Sequence, residues 1–367
     1  MKLRIASVQL NPLLGKLEEN SRRASVLLEK TFAAVQKPDL VVLPELALTG
    51  YNFPSPAAIA PYLEELSVQN PAPSMKWAMD TSRKYDCFTL IGYPETFQSK
   101  TYNSAVLVSP SGSIVYNYRK SFLYETDSVW GSSESSTGFE TFNLNLNKKA
   151  YTGEGGVDAF VKTTIGICMD LNPYKFEAPF NKFEFASHAF STDSSLILCP
   201  MAWLSGKSPS VNDALSAAEK ASAGLELAKH FPVEADKTLN PPVIDAAHTA
   251  QRTWDYTLEP SAYDIAQPDY SNVNYWALRF FPFMNHKMKA GYPWMANHKR
   301  RTVVLCNRSG VESDVLYGGS SSIFQFNGKT ADKEGDFEAL NVQNKSVDVL
   351  GSLGQGIEGV LVRDVEI

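Results

Sequence analysis

Asp39-Leu40-Val41-Val42-Leu43-Pro44-Glu45 is a short apolar run opened by one acid and closed by a proline and another acid. A run this short, with no polar residue inside it, reads as a strand buried on both faces, the kind that parallel sheets use when other layers cover them. Upstream, Arg4 to Leu10 alternates apolar and polar residues like a half-buried strand. Between the two, Ala24, Leu27, Leu28, Phe32 and Val35 recur at helical spacing over Glu18 to Val35 before Pro38 ends the pattern. Strand, helix and buried strand in that order open an α/β fold.

The same rhythm continues. Met75, Ala78, Met79, Ser82 and Tyr85 trace a second amphipathic helix, and Phe88 to Tyr93 reads as a strand. Ser104 to Val108 and Ile114 to Tyr118 flank the turn Ser109-Pro110-Ser111-Gly112, a hairpin that delivers Arg119 and Lys120. In the second half Thr163 to Ile167 reads as a strand ending at Cys168, Lys182 to Phe190 as a helix, and Ser195 to Cys199 as a strand ending at Pro200. Leu196-Ile197-Leu198-Cys199-Pro200 echoes Leu40-Val41-Val42-Leu43-Pro44, a weak sign of two similarly built halves. Asp213 to His230 reads as a helix, and Thr302 to Cys306, Ser322 to Phe326 and Val360 to Val365 as later strands. Residues 206–300 have poor periodicity and read as a long insertion over the sheet edge. Ser132 to Thr137 reads as a small loop tip, and no linker divides the chain, so a single domain over 1–367 is expected.

Composition narrows the function. The 367 residues are 44% hydrophobic and 20% charged with a formal net charge of -6, an ordinary globular balance. No basic block marks a nucleic-acid surface, and no apolar run reaches the ~20 residues of a membrane helix. The N-terminal segment lacks the apolar core of a secretion signal, and Cys87, Cys168, Cys199 and Cys306 form no paired spacing. Neither a disulfide framework nor a metal site is expected, and a cytoplasmic location fits best.

Three reactive residues stand where strands end: Glu45, Lys120 and Cys168. In open α/β sheets such ends gather around ligands. Taken singly, an acid after a strand is usually a cap or ion-pair partner, a lysine after a hairpin is usually solvated, and a lone cysteine is usually core. Their neighbours change that reading. Leu43-Pro44-Glu45-Leu46-Ala47-Leu48-Thr49-Gly50-Tyr51, Tyr118-Arg119-Lys120-Ser121-Phe122-Leu123 and Ile165-Gly166-Ile167-Cys168-Met169-Asp170 resemble, in order and spacing, the three signature segments of the nitrilase superfamily of carbon-nitrogen hydrolases.

That resemblance implies a nitrilase-type α-β-β-α sandwich and amide hydrolysis without a cofactor. Cys168 would attack the carbonyl, and Glu45 would take its proton, pass one to ammonia and later activate water. Lys120, with the backbone N–H of Met169, would hold the oxyanion, and its charge would favour the thiolate. A Cys-His protease is the obvious rival. His188, His230, His248, His286 and His298 belong to none of the three segments, which speaks against it.

Relatives that cut small ω-amides of free acids often carry an arginine shortly after the nucleophile to clamp the substrate carboxylate. Here that position is Asn172, with Lys175 as a substitute cation. Acids crowd the motifs instead: Glu125, Asp127 and Glu134 after the lysine, Asp170 after the cysteine. A carboxylate-rich site suits an ammonium, and Asp127 and Asp170 are the first candidates, with Glu134 next. Lys120 to Tyr124, Gly166 to Phe180, Leu198 to Leu204, Ser271 to Phe283, Ile323 to Lys329 and Leu350 to Gly356 resemble the protein N-terminal amidases, a eukaryotic branch of the superfamily. The implied reaction turns N-terminal Asn into Asp and Gln into Glu on proteins that are then arginylated and degraded. Met201, Ala202 and Trp203 occupy positions that the family turns toward substrate. The alternatives are an amidase of free ω-amides or nitriles, and a reader of N-termini without turnover.

Overall fold

The computed structural model describes residues 1–231, 265–284, 299–328 and 347–367. Two six-stranded sheets form its centre. Across the first the strands follow the order Gly359–Glu366, Lys2–Gln9, Leu40–Val42, Phe88–Phe97, Lys100–Val108 and Ile114–Arg119. Across the second the order is Val347–Ser352, Ser322–Phe326, Arg301–Asn307, Leu196–Met201, Phe160–Ile165 and Thr141–Asn145. Each sheet has three parallel strands with antiparallel strands outside them. Leu40–Val42 and Leu196–Met201 are the middle strands of the two parallel trios, so the sequence echo corresponds to one structural position used twice.

Alternate residues along these strands serve different layers. Leu3, Ile5, Leu40, Val42, Leu90 and Leu107 join Ile165, Leu196, Leu198 and Leu305 of the other sheet in one apolar cluster. Their neighbours Ala6, Val8, Val41, Leu43, Ile91 and Val106 pack instead with Ala24, Leu27 and Leu28 of the helix Leu17–Ala34 and with Met75, Ala78 and Met79 of the helix Pro73–Tyr85. Helices Glu184–Ser191 and Tyr270–Arg279 add Phe185, Phe190, Val273 and Trp276 to the inter-sheet cluster. The result is the expected α-β-β-α sandwich. Each such side chain taken from water stabilises the fold by about 1.5–3 kcal/mol, so the layers are held by many equivalent contacts.

The elements differ from the sequence reading in informative ways. The strand expected over Leu40 to Glu45 ends at Val42, and the one expected to reach Cys168 ends at Ile165. In both, backbone bonds to the neighbouring strand continue just past the strand end, from the Leu43 N–H to Leu90 O at 2.9 Å and from the Gly166 N–H to Leu198 O at 3.0 Å, before the chain turns. The helix expected over Asp213 to His230 is Ala217–Ala228, because Ser216 and Glu219 close a capping box there. Thr141–Asn145 and Val347–Ser352 are sheet-edge strands, and Thr141–Asn145 is largely half-buried, so neither carries the strong pattern of a central strand. The expected insertion lies partly outside the described residues. Within its bounds, Tyr270–Arg279 buries Val273, Trp276, Ala277 and Arg279. No helix among the described residues is long and apolar enough to cross a membrane.

Candidate active site

The chain segments that follow Leu40–Val42, Ile114–Arg119, Phe160–Ile165 and Leu196–Met201 meet at one edge of the sandwich. Ile114–Arg119 lies two antiparallel steps from Phe88–Phe97 and therefore points the same way, so Lys120 arrives beside Glu45. From the second sheet come Cys168 and, after Leu196–Met201, Ala202.

Glu45 sits in a turn that its sequence forces. Pro44 has no N–H for the ladder, and Leu46 adopts a left-handed φ of 44°. Gly92 on the neighbouring strand makes room: a Cβ there would stand 2.6 Å from the Pro44 carbonyl oxygen and 2.7 Å from Glu45 Cα. The carboxylate is fully buried and saturated. Its Oε1 accepts from Lys120 Nζ at 2.7 Å and from Asn103 Nδ2 at 2.6 Å, and its Oε2 accepts from the Ala202 N–H at 2.7 Å.

Lys120, equally buried, lies between two acids: its Nζ is 2.7 Å from Glu45 and 2.7 Å from Asp127 Oδ2. Its backbone is tied on both sides, the N–H to Asn103 O at 2.8 Å and the carbonyl to the Ser135 N–H at 3.0 Å. The serine-rich stretch 132–137 is thus pinned beside the lysine. Asp127 also accepts from Asn103 Nδ2 at 2.8 Å and from the Tyr124 N–H at 2.8 Å.

Cys168 is placed by an elbow. Its φ is 44°, a left-handed value that costs a non-glycine residue about 1–3 kcal/mol and that surrounding contacts must enforce. Asp170 supplies that enforcement. Its Oδ2 accepts from the Ile167 N–H at 2.8 Å and the Tyr118 hydroxyl at 2.8 Å, and its Oδ1 from the N–H groups of Ser121 at 3.1 Å and Phe122 at 2.8 Å. One carboxylate therefore ties the elbow to the residues just after Lys120. The expectation that Asp170 meets a substrate ammonium is corrected by this geometry, since all its bonds go inward. Asp170→Asn is expected to lower the urea midpoint, because two donors would lose an acceptor at about 1–3 kcal/mol each. It should reduce kcat with the KM essentially unchanged, and a KM rise alone would return the residue to substrate binding.

Burial governs the charge states. It raises the Cys168 thiol well above its ordinary value, and the Glu45 charge adds to this while Lys120 opposes it. Lys120 therefore works in the expected direction, against burial and the Glu45 charge. Burial likewise raises Glu45 above its ordinary range, against the pull of Lys120. Burial disfavours the Lys120 charge, but Asp127 and Glu45 outweigh it, and the ammonium is held above its usual value. Burial pushes Asp170 up to about 6.

Cys168 opens into a cavity of about 410 Å³. Its walls include Met169, Asn172, Ala202, Trp203 and the aromatic rings of Tyr124, Phe176 and Tyr275. The structure brings Ala202 and Trp203 to this cavity, as expected, but turns Met201 into the core with no exposed surface. Among the described residues no carboxylate lines it. Asp127 is spent on Lys120 and Asn103, and Glu134 lies on the surface, where the Tyr174 hydroxyl donates to it at 3.1 Å. Lys175 is exposed beside the Tyr174 ring and does not replace the missing arginine, while Asn172 accepts from the Tyr275 hydroxyl at 2.7 Å. Asn103 and Tyr275 escaped the sequence reading. Asn103 was within reach, because continuing the hairpin register by one pair sets it opposite Lys120. Tyr275 lies in the stretch without clear periodicity, and its only signal was its place in the resembling segment Ser271 to Phe283.

A buried acid and lysine behind a cysteine elbow, on two sheets packed face to face, form the candidate active site of an amidohydrolase. Residues 4–172 match the carbon-nitrogen hydrolase family. The chain belongs to that family, the nitrilase superfamily. It is 34% identical to the protein N-terminal amidase of Saccharomyces cerevisiae, over 100% of this chain and 95% of that protein. It also resembles the crystal structure of an N-terminal amidase with an Asn-Glu-Ala peptide, with a TM-score of 0.81 and 33% identity, covering 99% of this chain and 97% of that one. The crystal structure of an N-terminal amidase with a Gln-Gly peptide gives a TM-score of 0.83 with the same identity and coverage.

Proposed function

We propose that this chain hydrolyses the side-chain amide of an N-terminal Asn or Gln to Asp or Glu and releases ammonia. The observation that carries the reading is the meeting of Glu45, Lys120 and Cys168 beside a cavity into which the cysteine opens, in a chain similar over its whole length to N-terminal amidases. Cys168 Sγ attacks the amide carbon while Glu45 takes the thiol proton. Lys120 Nζ and the Met169 N–H receive the oxyanion. Glu45 returns the proton to the departing nitrogen, leaving a thioester, and then draws a proton from the water that cleaves it. Ala202 and Trp203 flank the amide-bearing residue. With Asn172 where an arginine would clamp a free carboxylate, a peptide bond can continue from the substrate. The acidic N-termini produced suit arginylation and degradation, and we place the reaction in the cytoplasm.

The test offers Asn- and Gln-initiated peptides, their N-acetylated twins and free asparagine, following ammonia and the amide-to-acid mass change. Hydrolysis is expected for the free-amine peptides alone. Turnover of free asparagine or acetylated peptides, with the Asn peptide untouched, would keep the chemistry and overturn the substrate.

A further inference from the structure

We infer that Asn103 is a positioning residue, whose single carboxamide nitrogen holds Glu45 and Asp127 in place on either side of Lys120. This rests on the reading of Glu45 as the proton shuttle. The nitrogen has two hydrogens, and each finds one acid, Glu45 Oε1 at 2.6 Å and Asp127 Oδ1 at 2.8 Å. The opposite orientation of the amide would set its carbonyl against two carboxylates, so chemistry alone selects this one. The Asn103 backbone is anchored at both ends, its N–H to Ser132 Oγ at 3.1 Å and its carbonyl to the Lys120 N–H at 2.8 Å. Its own Oδ1 is buried without a partner among the described residues, a cost that goes with aiming the donors at the acids.

The arrangement solves a charge problem. Glu45 is faced by Lys120, Asp127, Cys168, Cys199, Tyr51 and Tyr317, of which Lys120 alone is positive. Two carboxylates around one ammonium leave a buried excess of negative charge. A second cation would cancel it but would quench Glu45 as a base. A neutral donor favours the carboxylate form, fixes the rotation that keeps Oε2 toward Ala202 and the sulfur, and leaves basicity available.

Asn103→Leu keeps the volume and removes both donors. It is expected to lower kcat by up to ~10²-fold through misplacement of the base, with little change in KM. The acidic limb of kcat/KM should move to higher pH by about one unit, because Glu45 then ionises later. A purely structural role would reduce the folded fraction without moving that limb. Asn103→Asp, which preserves shape should the leucine variant not fold, is expected to move the limb further, since a third carboxylate repels Glu45. Because Glu45 takes the thiol proton, the pH dependence of Cys168 alkylation by iodoacetamide reports the coupled ionisation of Glu45 and Cys168 without any substrate, so the inference stays testable even if the wild type ignores Asn and Gln peptides. An unshifted limb for activity and alkylation in either folded variant would overturn it.

Discussion

Replacing Cys168 by alanine is expected to lower ammonia release from an Asn-initiated peptide by roughly 10⁴-fold or more, while the protein stays folded and still binds the peptide. No other described side chain can replace the lost sulfur. Cys199 and Cys306 are fully buried in the core, and neither lines the cavity. Alanine keeps the Cβ that makes the left-handed elbow costly, so the backbone strain is unchanged and stability should change little. Ammonia release combined with a thermal melt checks both halves. Residual activity within about tenfold of wild type would place the nucleophile elsewhere.

Lys120→Met should cost less turnover but should also damage the fold. Removing the ammonium leaves Glu45 and Asp127 buried around Asn103 without a counter-charge, and breaking such a pair costs about 3–5 kcal/mol. Turnover should fall by about 10²- to 10³-fold through kcat, since the charge is needed chiefly when the carbonyl oxygen becomes negative. The pH dependence has a definite sign. Lys120 holds Glu45 down, so its loss raises the folded-state value of Glu45 further above the unfolded one. Between those two values the folded protein binds the extra proton, and stability falls as pH rises through that window. The variant should therefore show a lower urea midpoint at pH 8 than at pH 5, relative to wild type. A wild-type midpoint at both pH values, or a loss confined to KM, would contradict the assigned role.

These results would test a site whose legibility was uneven. Glu45, Lys120 and Cys168 were readable because each follows a strand in an α/β sheet, where strand ends converge, and sits in a segment that resembles a nitrilase signature. The acids were misread for a related reason. A carboxylate near a nucleophile in sequence has no written direction, and Asp170 and Asp127 turn inward because buried N–H groups and a buried ammonium demand acceptors more strongly than solvent does. Met201 shows the same ambiguity: one residue earlier than Ala202, it falls on the core face of the strand.

Apolar periodicity and turn residues, which act over a few positions, were enough to determine an α/β chain of alternating strands and helices, while the layered sandwich and the three reactive residues in their order were read from segments that resemble the nitrilase signatures. The upward pull of burial on the Cys168 thiol, the inward aim of Asp170, the bridging nitrogen of Asn103 and the aromatic cavity wall were decided by the tertiary structure alone. Each depends on groups far apart in the chain, as Glu45 and Ala202 are, and on burial that no single segment encodes. Charge states and hydrogen-bond directions follow from what surrounds a group once water is gone, and only packing sets those surroundings.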